Sequence, residues 1–289
     1  MERIAVAADI SQAPSPSALK AVARAELRSL AAALRKTRSG QSVHGARRQI
    51  KRLRSLMRLL RAPIGEEAFR AANDALRSAA DALAGQRRAE ALVAAAGRLG
   101  GGRHADASWR QIAEAHRDAH VAGPAAESGP EAAGQAIKAA AAIVGGLRLK
   151  PGATPDIRDA FLATYRKARK WLDHGFSSGN AEDLHTARKH VIHHIHHLDL
   201  LRAHLVHPAR RIAALEKLRE ALGDLNDLDE LCQLTAGSTA SLPETATKAM
   251  AKRRAMLLKR AEKAAGRLFR HKPKAFQKRI GAMWTLAKA

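Results

Sequence analysis

The residues best equipped for chemistry stand in two short stretches. VHGARRQIKRLRSLMRLL, residues 43–60, carries His44, Arg47, Arg48, Lys51, Arg52, Arg54 and Arg58. LHTARKHVIHHIHHLDLL, residues 184–201, carries His185, Arg188 and Lys189, followed by His190, His193, His194, His196 and His197. Arginine presents a planar fork of donors matched to phosphate oxygens, lysine is a mobile point charge, and a neutral histidine still offers one N–H. In series, such side chains suit a phosphate-rich anion. No acidic residue lies between Gly40 and Gly65, so the first stretch has no salt-bridge partner of its own.

On a helix at about 100° per residue with His44 at zero, His44, Arg47, Arg48, Lys51, Arg54 and Arg58 fall between about 280° and 40°. Val43, Ala46, Ile50, Leu53, Leu56, Met57 and Leu60 occupy the opposite arc, which predicts one core face and one cationic face. Like charges at these spacings repel by a few tenths of a kcal/mol per pair. A merely solvated helix face would interleave Glu with Lys or Arg. In the second stretch His185, Arg188, Lys189 and His196 share the cationic arc, and Ile192 replaces the residue matching Lys51. His190, His193, His197 and His204 form a flanking stripe that is read as pointing away from the core residues Val191, Ile195 and Leu198.

The histidines admit three roles. His193 and His197, four apart, can chelate Zn²⁺ or Ni²⁺ with His190 or His204 as a third ligand, although no carboxylate or cysteine joins the stripe and HExxH is absent. Exposed beside a phosphate site, they would gain charge on acidification, which predicts an affinity rising between about pH 7.5 and 5.5. Half-buried, they would be satisfied within the bundle, a role that fits His194 best. No cofactor and no catalytic residue is expected.

These stretches must be positioned by helices. The chain has 289 residues, 46 % of them apolar but only 3 % aromatic, with Ala and Leu dominant, so the predicted fold is all-α. Helical periodicity runs over 17–37, 42–61, 66–84, 86–99 and 105–121, then 156–174, 181–207, 208–222, 226–235, 243–269 and 273–288. Residues 1–16 read as a tail. Gly and Pro make 123–134 the candidate linker, and a short apolar piece, 135–147, follows it.

The chain also repeats itself. VHGARR at 43–48 matches LHTARK at 184–189, an offset of 141 residues (185 − 44), and LAGQRRAEAL at 83–92 aligns with LGDLNDLDEL at 222–231, an offset of 139 (222 − 83). An internal duplication follows, each half a bundle of about four helices: bundle one over 17–122 and bundle two over 152–289, joined by 123–151 into a single domain.

Lys and Arg number 51 against 27 Asp and Glu, a formal charge of +24. Self-repulsion on this scale points to a polyanionic partner. The single cysteine, Cys232, forms no internal disulfide, the start MERIAVAADI lacks a secretory apolar region, and no apolar run is long enough to span a bilayer. The expectation is a soluble, cytoplasmic protein with no membrane partner. The sequence does not fix its oligomeric state.

The motif His-x-x-Arg followed by Arg or Lys, found twice at the head of a basic amphipathic helix, together with LGDLNDL after the second copy, resembles the conserved histidine α-helical domain (CHAD) family. The closing segment LFRHKPKAFQKRIGAMW, 268–284, is similar to the end of that domain. The resemblance runs from about Ser17 to Trp284. It implies two pseudo-symmetric four-helix bundles whose basic helices line a shared cavity or groove, binding of inorganic polyphosphate, and association with polyphosphate granules. The family's basic positions correspond to His44, Arg47, Arg48, Lys51, Arg52 and Arg58, and to His185, Arg188 and Lys189; Tyr165, Arg166 and Arg169 resemble the helix before the second motif. The adjoining Arg54, His193 and His196 complete the expected site. The chain departs from the pattern at Ile192, His193, His194 and His196, and reads Arg87–Arg88 where the first half should carry Arg–Asp.

Polyphosphate carries no bases, so affinity would rest on phosphate contacts and counterion release. Nucleic acid is the close competitor and should bind nonspecifically at low salt, but no aromatic stands on the two basic helices for base stacking. An enzyme is not expected: E-x-E-x-K and the phosphate-loop motif are both absent. DLNDLDE, 224–230, places Leu228 where a calcium ligand belongs, and reads as a helix start in which Asn226 or Asp227 caps backbone N–H groups or pairs with an arginine.

Overall fold

The computed structural model describes residues 15–35, 40–84, 92–97, 110–118, 125–150, 154–205, 208–236 and 244–286. All secondary structure among them is helical. In chain order the elements are α1 (Pro16–Arg35), α2 (Gly40–Leu59), the short α3 (Arg61–Ile64) and α4 (Glu66–Ala82), then α5 (Ala125–Gly146), α6 (Thr154–Ser178), α7 (Ala181–Leu200), α8 (Pro208–Ala236), α9 (Glu244–Leu268) and α10 (Pro273–Leu286). Short helical pieces lie at 92–97 and 110–118, inside two of the expected helices. The expected tail up to residue 14 and Arg87–Arg88 fall outside the described residues. No described helix is long and apolar enough to cross a membrane.

Eight of the described helices form two rings of four. In the first, α1 packs on α2, α2 on α4, α4 on α5 and α5 on α1; in the second, α6 packs on α7, α7 on α8, α8 on α9 and α9 on α6. The rings meet where α2 crosses α7, and one continuous apolar core runs through both. In α1 the core stripe is Leu19, Ala23, Leu27, Leu30 and Leu34, the i, i+4, i+7 pattern of a helix with one buried face. The Ser15 hydroxyl caps its start by accepting from the Ala18 N–H at 3.1 Å, and Asn180 caps α7 by accepting from Glu182 at 2.8 Å.

The expected linker is the main correction. Residues 125–146 form α5, and Ala133, Ile137, Ala140 and Val144 complete the core of the first ring. Gly129 and Pro130 look like breakers, but tertiary packing overrides local propensity here. A Cβ at Gly129 would stand 2.6 Å from the Ala82 carbonyl oxygen, so glycine lets α5 close on the end of α4. Bundle one therefore extends to 146.

Two boundaries also move. The helix expected over 181–207 ends at Leu200 and gives way to a 3₁₀ turn, Arg202–His204, which takes His204 off the histidine stripe. The helices expected over 208–222 and 226–235 are one, α8, and the Asn226–Asp227 pair lies in its middle rather than at a helix start.

Candidate functional site

Helices α2 and α7 are each 20 residues long and start 141 residues apart (181 − 40). Their crossing follows the same offset. Ser55 and His196, which the offset aligns, touch each other: the Ser55 hydroxyl lies 2.9 Å from His196 Nδ1. Arg52 pairs with Asp199, and the aligned positions, His193 and Arg58, face each other in turn. Position i meets j while the copy of j meets the copy of i, the rule of a two-fold-related pair.

The motif arginines obey the same relation. Arg47 donates from Nη1 to the Leu83 carbonyl at 2.5 Å and the Ala80 carbonyl at 3.4 Å, at the C-terminal end of α4, where a helix dipole favours a cation. Arg188 reaches the aligned place on α8: a Cβ on Gly223 would stand 3.1 Å from its Nη2 and 3.5 Å from its Cζ. Glycine at 223 leaves the room the guanidinium occupies, and this is why α8 carries a glycine without breaking there.

Lys51 feels the charge of both these arginines. Burial first, then Arg188, Arg47, Arg219 and Arg54, push its ammonium down to about 8. The charged neighbours that act on it most are thus all cations, drawn from α2, α7 and α8, while its side chain still opens to solvent. Arg54 and Arg47 are themselves lowered by burial, and Arg58 to about 10. His44, Arg48 and Lys189 are exposed around this cluster, with Lys189 4.0 Å from Glu182. His185 is half-buried. Its Nδ1 donates to Asn226 Oδ1 at 2.5 Å, while the amide nitrogen of Asn226 donates to Glu230 at 3.2 Å, fixing the amide's orientation. Burial and Lys189 hold the His185 imidazole below its ordinary range.

A CHAD domain family model matches residues 21–236. The chain belongs to the CHAD family. PptA from Streptomyces chartreusis is similar over 91 % of this chain and 99 % of its own, with a TM-score of 0.63 at 18 % identity. The CHAD domain from the plant Ricinus communis is similar over 95 % of each chain, with a TM-score of 0.46 at 19 % identity. No curated protein matches the chain.

Within this CHAD domain, not every expected residue joins the cluster. Arg52 points to the other side of the α2–α7 crossing, where Glu26 at 2.7 Å and Asp199 hold it; the two carboxylates outweigh burial and raise its pKa. Arg54 keeps its charge within reach of Lys51 while donating to Asn73 at 3.2 Å, whereas Arg58 donates to the Arg54 carbonyl at 3.0 Å, with its guanidinium 6.0 Å from the Phe69 ring centre. Arg169 donates to the Phe269 carbonyl at 3.1 Å beside Asp173, and Arg166 is exposed on the same helix. These two bind α6 to its own ring or face solvent there.

The histidines correct the sequence reading most. His193 and His196 both donate from Nδ1 to the Ser55 hydroxyl, at 2.8 and 2.9 Å, and that hydroxyl donates to the Lys51 carbonyl at 2.8 Å. His197, fully buried, donates from Nε2 to the Ser55 carbonyl at 2.8 Å. His194, fully buried, packs among Phe161, Tyr165, Phe269 and Phe276, with Nδ1 3.2 Å from the Thr164 hydroxyl. The stripe faces α2, so it forms the joint between the rings and is not an exposed flank of the cationic face. Among the described residues no three His, Cys, Asp or Glu side chains converge as a metal site requires. Burial also removes the basis for an affinity rising on acidification, because it depresses every imidazole from His193 to His197 and holds His190 at about 4.

Two residues escaped the sequence reading. Arg219 on α8 joins the ring around Lys51, but its flanking partners Glu216 and Glu220 give it the look of a solvated salt-bridge residue. Ser55 sits in the middle of the cationic arc of α2 and is buried. A lone small residue in a row of long cations was the signal that another helix docks there.

Proposed function

We propose that this CHAD domain binds inorganic polyphosphate through the cation cluster centred on Lys51, without turning it over. The supporting observation is that the charges acting most on Lys51 are Arg188, Arg47, Arg219 and Arg54, from both rings. Such a cluster destabilises the free protein, and a chain of phosphates offsets that repulsion while accepting from guanidinium forks and from the lysine. His44, Arg48, His185 and Lys189 lie around it as further donors. Association with polyphosphate granules would follow from the same chemistry. A nucleic acid offers phosphates too, but none of the residues named in the cluster is aromatic, and single-strand binders generally stack bases.

The test is binding of long-chain polyphosphate against single- and double-stranded DNA at ~150 mM salt, where weak nonspecific electrostatics fade. Polyphosphate is expected to bind, to raise the melting temperature in proportion to the logarithm of its concentration, and to displace both DNAs. The double variant Lys51→Gln, Arg188→Gln is expected to bind at least about tenfold more weakly, each lost charge-assisted contact being worth ~1.5–3 kcal/mol. Equal affinity for DNA, or phosphate release that depends on His44 or His185, would overturn the reading.

A further inference from the structure

A second cationic surface lies outside the segment that the family model matches. Helix α9 carries Lys252, Lys259, Arg260, Lys263 and Arg267, all exposed, and all within about 60° of the exposed Met256 on a helix of 3.6 residues per turn. No acid falls in that arc; Glu262 lies about 120° away. From Lys252 to Arg267 the row is about 22 Å long at 1.5 Å per residue, and Arg270 continues it beyond the helix.

A solvated helix face in the same molecule looks different. On α4, Glu66 meets Arg70 at 2.8 Å and Asp81 meets Arg77 at 3.7 Å, the usual interleaving of signs. The α9 row has no such interleaving within its arc. It also faces away from the ring. Arg254, on the opposite side of the helix, donates to Asp229 at 2.6 Å and to the Gly179 carbonyl at 3.0 Å, and so fixes which face of α9 is turned outward. The Lys51 cluster belongs to α2, α7 and α8, whereas α9 packs on α8 and α6.

We infer that the outward face of α9 is a second polyphosphate-binding surface, which makes the protein bivalent for long chains and able to bridge them. The inference rests on the proposed function for the choice of polyanion. Charge complementarity without aromatic or hydrogen-bonding selectivity favours a chain of bare phosphates, since the row holds no Phe, Tyr or Trp. A lone exposed methionine does not make the apolar face that an anionic membrane requires.

The experiment compares the full chain with the quadruple variant Lys259→Gln, Arg260→Gln, Lys263→Gln, Arg267→Gln and with Lys51→Gln, Arg188→Gln. Light scattering on mixing with long-chain polyphosphate reads bridging, and the slope of log K against log salt reads phosphate contacts. The α9 variant is expected to lose the scattering and to show a long-chain salt slope shallower by about 3, at ~0.7 per contact. Its melting temperature and its affinity for short chains, which occupy the Lys51 cluster alone, are expected to match wild type. Scattering and slope unchanged in the α9 variant would overturn the inference while leaving the Lys51 site standing. Short-chain binding that survives Lys51→Gln, Arg188→Gln would count against the Lys51 site instead. Loss of binding to phosphatidylserine vesicles in the α9 variant, with polyphosphate bridging intact, would assign the face to a membrane and also overturn the inference.

Discussion

Helices α2 and α7 occupy equivalent places in two similar rings, yet one is a row of cations and the other a row of imidazoles. Where α2 has Lys51, Arg52 and Ser55, α7 has Ile192, His193 and His196. The first helix presents charge to solvent around Lys51. The second supplies neutral donors that meet α2, three of them converging on Ser55. The difference teaches that two similar helices need not do the same work: one carries most of the cations of the proposed site while the other carries the joint. Arg188 and Lys189 keep α7 in the site, and everything past them is interface.

The largest expected effect tests the joint. In the unfolded chain these histidines titrate near 6.5, whereas in the fold His190 and His196 are held at about 4 and His197 at about 3, mainly by burial. The folded values are depressed, so the stabilisation is complete above about 6.5 and is lost as pH falls from there toward the folded values, at up to ~1.4 kcal/mol per histidine per pH unit. Thermal melts should therefore drop steeply between about pH 7 and 5, by several kcal/mol in total. A flat profile would mean that the imidazoles are not the joint.

Next in size is an attempt to make the two helices alike. Ile192→Lys restores the partner of Lys51 and places it toward Arg47. Affinity for polyphosphate should rise several-fold, and stability without ligand should fall by about 1 kcal/mol or more, since a half-buried apolar side chain gives way to a charge among charges. A variant that gains no affinity would mean that position 192 lies outside the site.

Arg52 tests the other side of the crossing. Arg52→Ala should cost about 1 kcal/mol of stability through its partly exposed pairs with Glu26 and Asp199, and should leave polyphosphate affinity almost unchanged. A large loss of affinity would return Arg52 to the binding site. The smallest effect concerns Lys51 itself. With its ammonium near 8, affinity should fall as pH rises from about 7 to 9, and Lys51→Arg should flatten that slope because guanidinium stays charged. Proton uptake on binding, measured by calorimetry in buffers of different ionisation heat, provides the check.

Much of this was legible in the chain. The all-α fold and the cationic face of α2 follow from periodicity, and the 141-residue offset turned out to organise the contacts themselves. Three things resisted. Helix α5 is hidden because Gly129 and Pro130 resemble loop residues when their packing partner, the end of α4, is not in view. Helix α8 looked interrupted because Gly223 serves Arg188 on another helix. The histidines were placed on the wrong side because a helical wheel assumes one buried face, and α7 is covered by α6, α8 and α2 at once.

The contact between Ser55 and His196 has one more consequence. On a two-fold axis each residue would meet its own copy, and here a small acceptor meets a large donor. If the first ring paired with a second copy of itself, Ser55 would face Ser55 across a gap; if the second did so, two imidazoles would crowd the place that one imidazole and one hydroxyl share here. The rings are lock and key to one another, so neither half of the chain can substitute for its sibling.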